Sequence, residues 1–169
     1  GGPSLLLAEL VLLQKRRGRT VVDYLDYLNR TYGYFWNGQQ TIVMTGILGK
    51  QQMLAMLASL RKNPPEEVAG RKVTHVVDYW NEESRFGPIK GQTDRSSRNL
   101  LIFHLEGQTK VALRPSGTEP KAKVYIEAST DPMTPGTSAE DWQKLCAETA
   151  SRGEALGKAF AALAMERVK

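Results

Sequence analysis

Apolar residues recur along this chain in distinct rhythms, and each rhythm predicts a different element. Leu5–Leu13 is apolar at every position except Glu9. A helix of that kind has no polar side to offer water, so it is expected to be buried all round. Pro3 can occupy its first turn. Gln14-Lys15-Arg16-Arg17-Gly18 reads as its exposed polar end with a glycine stop. A helix needing neighbours on every side is expected to derive from a preceding domain that this chain lacks, the alternative being a central helix of this domain. Thr20-Val21-Val22-Asp23 fits a capping box with Asp in place of Glu. It opens a short helix with Val21, Tyr24, Leu25 and Leu28 on one face. The aromatic, glycine-punctuated run Tyr32–Gly38 reads as a hinge between domains, and its spacing equally admits an aromatic edge of the core.

Beyond the hinge the rhythm alternates between helix and strand. Thr41–Met44 reads as a short strand. Met53, Met56, Leu57 and Leu60 recur at helical spacing, which predicts a helix over 50–62. Pro64-Pro65 prevents its continuation. Lys72–Tyr79 alternates around Val73, His75 and Val77, as a strand does, and the polar stretch Asn81–Arg98 reads as a loop. Leu100–Leu105 and Lys110–Arg114 read as strands joined by a Gly107-Gln108 hairpin, and Ala122–Ala128 as a further strand. Thr137-Ser138-Ala139-Glu140 fits a capping box. It opens a long helix with Trp142, Leu145, Leu156, Phe160 and Leu163 broadly on one side. This order predicts an α+β fold, an antiparallel sheet with helices packed on it. It also predicts a division into 1–34, helices of a preceding domain plus the hinge, and 35–169, a C-terminal domain.

Composition narrows the class only a little. Of 169 residues, 41% are hydrophobic and 24% charged, as in ordinary globular proteins. The formal net charge of +5 suits anionic ligands, sugar phosphates and nucleic acid alike. A single cysteine, Cys146, excludes an intramolecular disulfide, and with only His75 and His104 beside it no structural zinc site is expected. Both histidines read as strand residues, not catalytic groups. The apolar run is too short to span a bilayer and has no basic leader, so neither a membrane anchor nor a signal peptide is expected. A reducing cytoplasm follows as the expected compartment.

The segment with chemistry in it is Leu113-Arg114-Pro115-Ser116-Gly117-Thr118-Glu119-Pro120-Lys121. Arg114 can grip a phosphate through two charge-assisted hydrogen bonds. Pro115 stiffens the backbone, and Ser116 and Thr118 offer hydroxyl donors. Gly117 permits angles that aim successive N–H groups at one point. Lys121 and Lys123, two apart on a strand, face one side and can add positive potential. Glu119 does not suit a pure phosphate cradle. It could pair with a lysine or accept a sugar hydroxyl. The residues alone also admit an ordinary Ser-Gly-Thr turn beside an incidental arginine.

Arg-Pro-Ser-Gly-Thr-Glu-Pro-Lys at 114–121, followed by Val-Tyr-Ile-Glu at 124–127, resembles the signature of the α-D-phosphohexomutase superfamily, in particular its phosphoglucomutase/phosphomannomutase branch. Leu57–Arg61 with Pro64-Pro65, Ala69–Val73 and Val77-Asp78-Tyr79 resemble the start of that family's fourth domain. Gly1–Tyr34 resembles the last helices of its third. The resemblance implies a C-terminal domain with a fold like that of TATA-box-binding protein. It implies a sugar phosphate as partner, gripped by Arg114, Ser116, Gly117 and Thr118, with Glu119, Lys121 and Lys123 as accessories. It further implies an enzyme that moves a phosphoryl group between positions 1 and 6 of a hexose through a phosphoserine and a hexose 1,6-bisphosphate, with magnesium. The phosphoserine loop, the magnesium-binding aspartates and the sugar-selecting loop are not found in this chain. Asn81-Glu82-Glu83-Ser84 resembles the last of these only superficially. The fragment is therefore expected to need the missing N-terminal domains for activity and to contain no catalytic or metal-binding residue of its own. Phosphopentomutase and N-acetylglucosamine-phosphate mutase belong to the same superfamily. Outside it, a basic nucleic-acid-binding module and a non-catalytic interaction domain built on the C-terminal helix are the competing readings.

Overall fold

Pro3 in the first turn and Gly18 just past the last bracket the first helix, α1, Gly2–Arg16, in a computed structural model that describes residues 1–168. Gly18 adopts φ +67°, so the chain turns back and the Arg19 N–H reaches the Gln14 carbonyl at 3.0 Å. Gln14 is buried, whereas the expected pattern placed it on an exposed end. Leu5, Leu6, Leu7, Val11, Leu12 and Leu13 are exposed instead of buried all round. The second helix, α2, Val21–Tyr32, has the capping box read from Thr20 and Asp23. The Asp23 N–H donates to Thr20 Oγ1, and the Thr20 N–H donates to Asp23 Oδ2. Val21, Tyr24 and Leu28 are half-buried, but Leu25 is exposed.

The chain divides into two compact units. One comprises Gly1–Phe35 and Thr130–Cys146; the other comprises Trp36–Ser129 and the residues from Ala147 onward. In the first, the Tyr34 N–H donates to Thr130 Oγ1 and the Thr130 N–H to the Tyr34 carbonyl, each at 3.0 Å.

The second unit is built on a six-stranded sheet. Its strands are β1 (Phe35–Val43), β2 (Glu67–Val68), β3 (Arg71–Asp78), β4 (Leu101–Leu105), β5 (Thr109–Pro115) and β6 (Lys121–Ser129), in the order β1-β6-β5-β4-β3-β2. Neighbours from β2 through β6 pair antiparallel. α3, Gly49–Lys62, follows β1, and α5, Ala139–Glu166, closes the chain. β1 starts at Phe35, well before the short strand expected at Thr41. The reason is Trp36, which packs against the core in space left by Gly38 and Gly153, where any Cβ would strike its ring. The stretch expected to be a loop before Arg98 contains a short helix, α4, Gln92–Ser97.

Strand alternation sorts the side chains by face. Leu101, Phe103, Leu105, Val111, Leu113, Val124 and Ile126 turn inward with Met53, Met56, Leu57 and Leu60 of α3 and Leu156 and Phe160 of α5. In β3 a register shift between Val73 and His75 swaps the faces, so Val73 and Val76 pack inward and His75 is exposed. The expected run of Val73, His75 and Val77 on one face is corrected by that bulge. The α5 cap is Ser138 with Asp141, not Thr137 with Glu140, because the Asp141 N–H donates to Ser138 Oγ and Thr137 bonds Thr134. On α5, Trp142, Leu156 and Phe160 are buried, whereas Leu145 is exposed. Among the described residues, no helix is long and apolar enough to cross a membrane.

His104 lies across from His75 and from Lys110 on the outer face. Burial, then His75 and Lys110, hold its pKa below the ordinary 6.5, against a smaller opposing pull from Glu127. A histidine whose folded pKa is lowered resists protonation only while folded. Its stabilising effect is therefore full above about pH 6.5 and is lost as pH falls through the folded value. We expect the melting temperature to fall between pH 7 and pH 5, and His104→Gln to flatten that fall. An unchanged slope in the variant would exclude His104 as its source.

Candidate anion-binding site

The β5–β6 turn, Ser116–Pro120, is held closed by its own backbone. The Ser116 N–H donates to the Lys121 carbonyl and the Lys121 N–H to the Glu119 carbonyl, both at 2.8 Å. The Glu119 N–H reaches Ser116 Oγ at 3.3 Å. Its base is fastened to the core, because the buried Met44 donates its N–H to the Pro120 carbonyl at 2.9 Å. Among the described residues, the N–H groups of Gly117 and Thr118 have no acceptor. Two amides are thus left for a ligand, fewer than a full nest of successive donors, since the Ser116 N–H is already used. Gly117 does not adopt a positive φ, so the turn closes without the conformational freedom that glycine offers.

Leu113 and Val124 point into the core, so their neighbours Arg114 and Lys123 point to the outer face. The register sets these two residues opposite each other. With Pro115, Ser116, Gly117 and Tyr125 they line a cavity of about 220 Å³. Arg114 is exposed, and its guanidinium has no ion-pair or hydrogen-bond partner among the described residues. Like charges directly opposite on a sheet destabilise it by roughly 0.2–1 kcal/mol. The fold gains nothing from the juxtaposition; an anion between the two cations would cancel it.

The remaining expected residues separate. Thr118 is exposed and lies outside the lining of this cavity. Lys121 pairs with Glu119 at 2.6 Å, so the carboxylate is turned to its own lysine and takes that charge away from the pocket. Tyr125 was not foreseen; the signal available was its period-two spacing from Lys123. Among the described residues, no group of three or more His, Cys, Asp or Glu is arranged to hold a metal ion.

Gly117 tests the site from another side. A Cβ there would meet only Ser96 Oγ, at 3.9 Å, so neither backbone angle nor crowding requires glycine. Gly117→Ala is expected to leave stability unchanged or raise it by up to about 1 kcal/mol. The same methyl stands on the cavity wall and should weaken anion binding. Undiminished binding would show that the ligand needs no bare backbone there.

Residues 56–134 match the family described as phosphoglucomutase/phosphomannomutase, C-terminal domain. The match takes in α3 from Met56, the strands β2–β6 and the whole turn with its two cations. This chain carries the C-terminal domain of the phosphoglucomutase/phosphomannomutase family. A Haemophilus influenzae protein named "Probable phosphomannomutase" is 36% identical over 127 residues, 74% of this chain and 23% of that protein. A Staphylococcus aureus (strain N315) protein named "Phosphoglucomutase" is 34% identical over 114 residues, 66% of this chain and 20% of the relative. A Staphylococcus haemolyticus phosphoglucomutase is 33% identical over 129 residues, 75% and 23% of the two. The chain thus spans about a fifth to a quarter of the length of the curated relatives it matches. The antiparallel sheet with helices on one face is the α+β fold expected for such a phosphohexomutase domain.

Proposed function

We propose that this domain grips the phosphoryl group of a sugar phosphate within a phosphohexomutase, an enzyme that moves phosphate between positions 1 and 6 of a hexose. The observation behind this reading is Arg114, unpaired among the described residues, facing Lys123 beside the Ser116–Gly117 turn. A phosphate dianion there would receive a forked pair of N–H bonds from Arg114 and an ammonium from Lys123. The Gly117 N–H and the Ser116 hydroxyl would complete the grip, with Thr118 able to add its own N–H. These groups bind and orient; they neither donate nor accept the transferred phosphoryl group. Their effect on rate is positional, holding the far end of the substrate so that its reacting oxygen is presented elsewhere. Glu119, paired with Lys121, sets one cation and limits the charge around the turn. The names of the matched relatives favour mannose and glucose phosphates as substrates. Magnesium and a hexose 1,6-bisphosphate belong to the proposed reaction of the whole enzyme. The steps assigned to residues of this chain do not involve the metal. Residues 1–34 are proposed to pack with the preceding domain of that enzyme.

Calorimetric titration tests the reading. Glucose 1-phosphate and mannose 1-phosphate should bind saturably and be displaced by inorganic phosphate, whereas glucose should not bind. Equal binding of glucose, or no binding of either ester, would contradict it.

A further inference from the structure

Pro115, Ser116 and Gly117 also border a second cavity, of about 270 Å³, whose other walls come from α3, α4 and the residues around them. Lys50 and Arg95 stand on those walls. Neither has an ion-pair partner among the described residues. Nearby arginines differ in this respect. Arg61 is matched by Asp78 at 3.1 Å and Arg98 by Asp94 at 3.7 Å, so the local carboxylates are already taken. Among the described residues, no acidic residue lines the cavity. Two positive charges in a concave, acid-free wall concentrate positive potential and favour an anion.

Neutral groups there are set as donors. Asn99 Oδ1 accepts from Arg61 Nη2 at 2.6 Å, which leaves the Asn99 amide NH₂ to donate. Ser96 adds a hydroxyl. Trp80 forms a fixed apolar wall: its Nε1–H donates to the Arg95 carbonyl at 2.8 Å, and the Arg61 guanidinium stacks 4.2 Å from its ring centroid. Cations and donors around a flat apolar surface suit a small phosphate monoester, its phosphoryl group on Lys50 and Arg95 and its organic part against Trp80.

We propose that this cavity is a second phosphoryl-binding site, separate from the Arg114–Lys123 site and sharing the Ser116–Gly117 wall with it. It does not depend on the substrate assignment made above. The turn between the two sites is then read by ligands on both.

The test is amide NMR of the full chain titrated with inorganic phosphate, for wild type, Lys50→Ala/Arg95→Ala, Arg95→Lys and Arg114→Ala. Phosphate should shift two groups of amides with separate saturation, one at Gln92–Asn99 and one at Arg114–Lys123. The double variant should weaken binding at the first group by about tenfold or more and leave the second within about twofold, the scale of losing charged hydrogen bonds. Arg114→Ala should do the reverse, and Arg95→Lys should retain most of the first response. Lys50 and Arg95 are exposed, so these variants should keep the wild-type spectrum elsewhere. The proposal is overturned if Gln92–Asn99 do not shift, or if their shifts track those of Arg114 and vanish in Arg114→Ala. Loss of the Arg114–Lys123 response alone would instead count against the substrate site.

Discussion

Arg114→Ala is expected to weaken binding of a sugar phosphate by roughly 1.5–3 kcal/mol, the worth of hydrogen bonds to a charged group. That is on the order of ten- to a hundredfold in affinity. Stability should not suffer. The guanidinium is exposed and unpaired among the described residues, and its cross-strand neighbour is another cation. Removing it relieves a repulsion instead of breaking a contact. The two readouts together discriminate, because a structural arginine would show the opposite pattern of lost stability and intact binding. Unchanged affinity for glucose 1-phosphate in Arg114→Ala would take Arg114 out of the site.

Phe160→Ala is expected to cost about 3–5 kcal/mol of unfolding free energy. Phe160 on α5 is fully buried, and its ring meets that of Phe103 on β4 at 5.2 Å between centroids and 51° between planes. Such a tilted pair adds to the area each ring buries. The contact joins the last helix to the centre of the sheet whose far end carries the β5–β6 turn. A loss of this size is a large share of the roughly 5–15 kcal/mol that holds a typical domain folded. Urea unfolding followed by circular dichroism should show a lower midpoint at a similar slope. A loss below about 1 kcal/mol would mean that the two rings do not anchor the core.

Much of the second unit was legible because its rules are local. Met53, Met56, Leu57 and Leu60 repeat at helical spacing and all are buried. Gly107-Gln108 lies in the short β4–β5 hairpin loop, with both residues at positive φ. Other features depend on contacts that no short window contains. β2 is two residues long, and its hairpin to β3 shows only as Ala69 and Gly70 at φ +51° and +75°. The Val73/His75 bulge has no compositional mark. α4 has no apolar period to reveal it, because Gln92–Ser97 is polar throughout. Arg98, expected in a solvated loop, is buried with its Nε on the Tyr79 carbonyl at 2.7 Å.

At the site, the residue types of the turn were readable and their partners were not. Period two puts Lys121 and Lys123 on one side, but only the folded turn gives Lys121 to Glu119 and leaves Lys123 facing Arg114. Thr118 is equivalent to Ser116 by composition. The closure of the turn through the Ser116 N–H and the Lys121 carbonyl carries it outside the cavity lining. The second cavity was illegible because Lys50 is distant in sequence from Arg95 and Asn99 and lines a cavity with them only in the folded chain.

A crystal structure of the chain with glucose 1-phosphate bound would test the role of the turn most directly. The phosphoryl group is expected between Arg114 and Lys123, with guanidinium nitrogens about 2.7–2.9 Å from its oxygens. A phosphoryl group seated elsewhere, with Arg114 left facing water, would contradict the assignment.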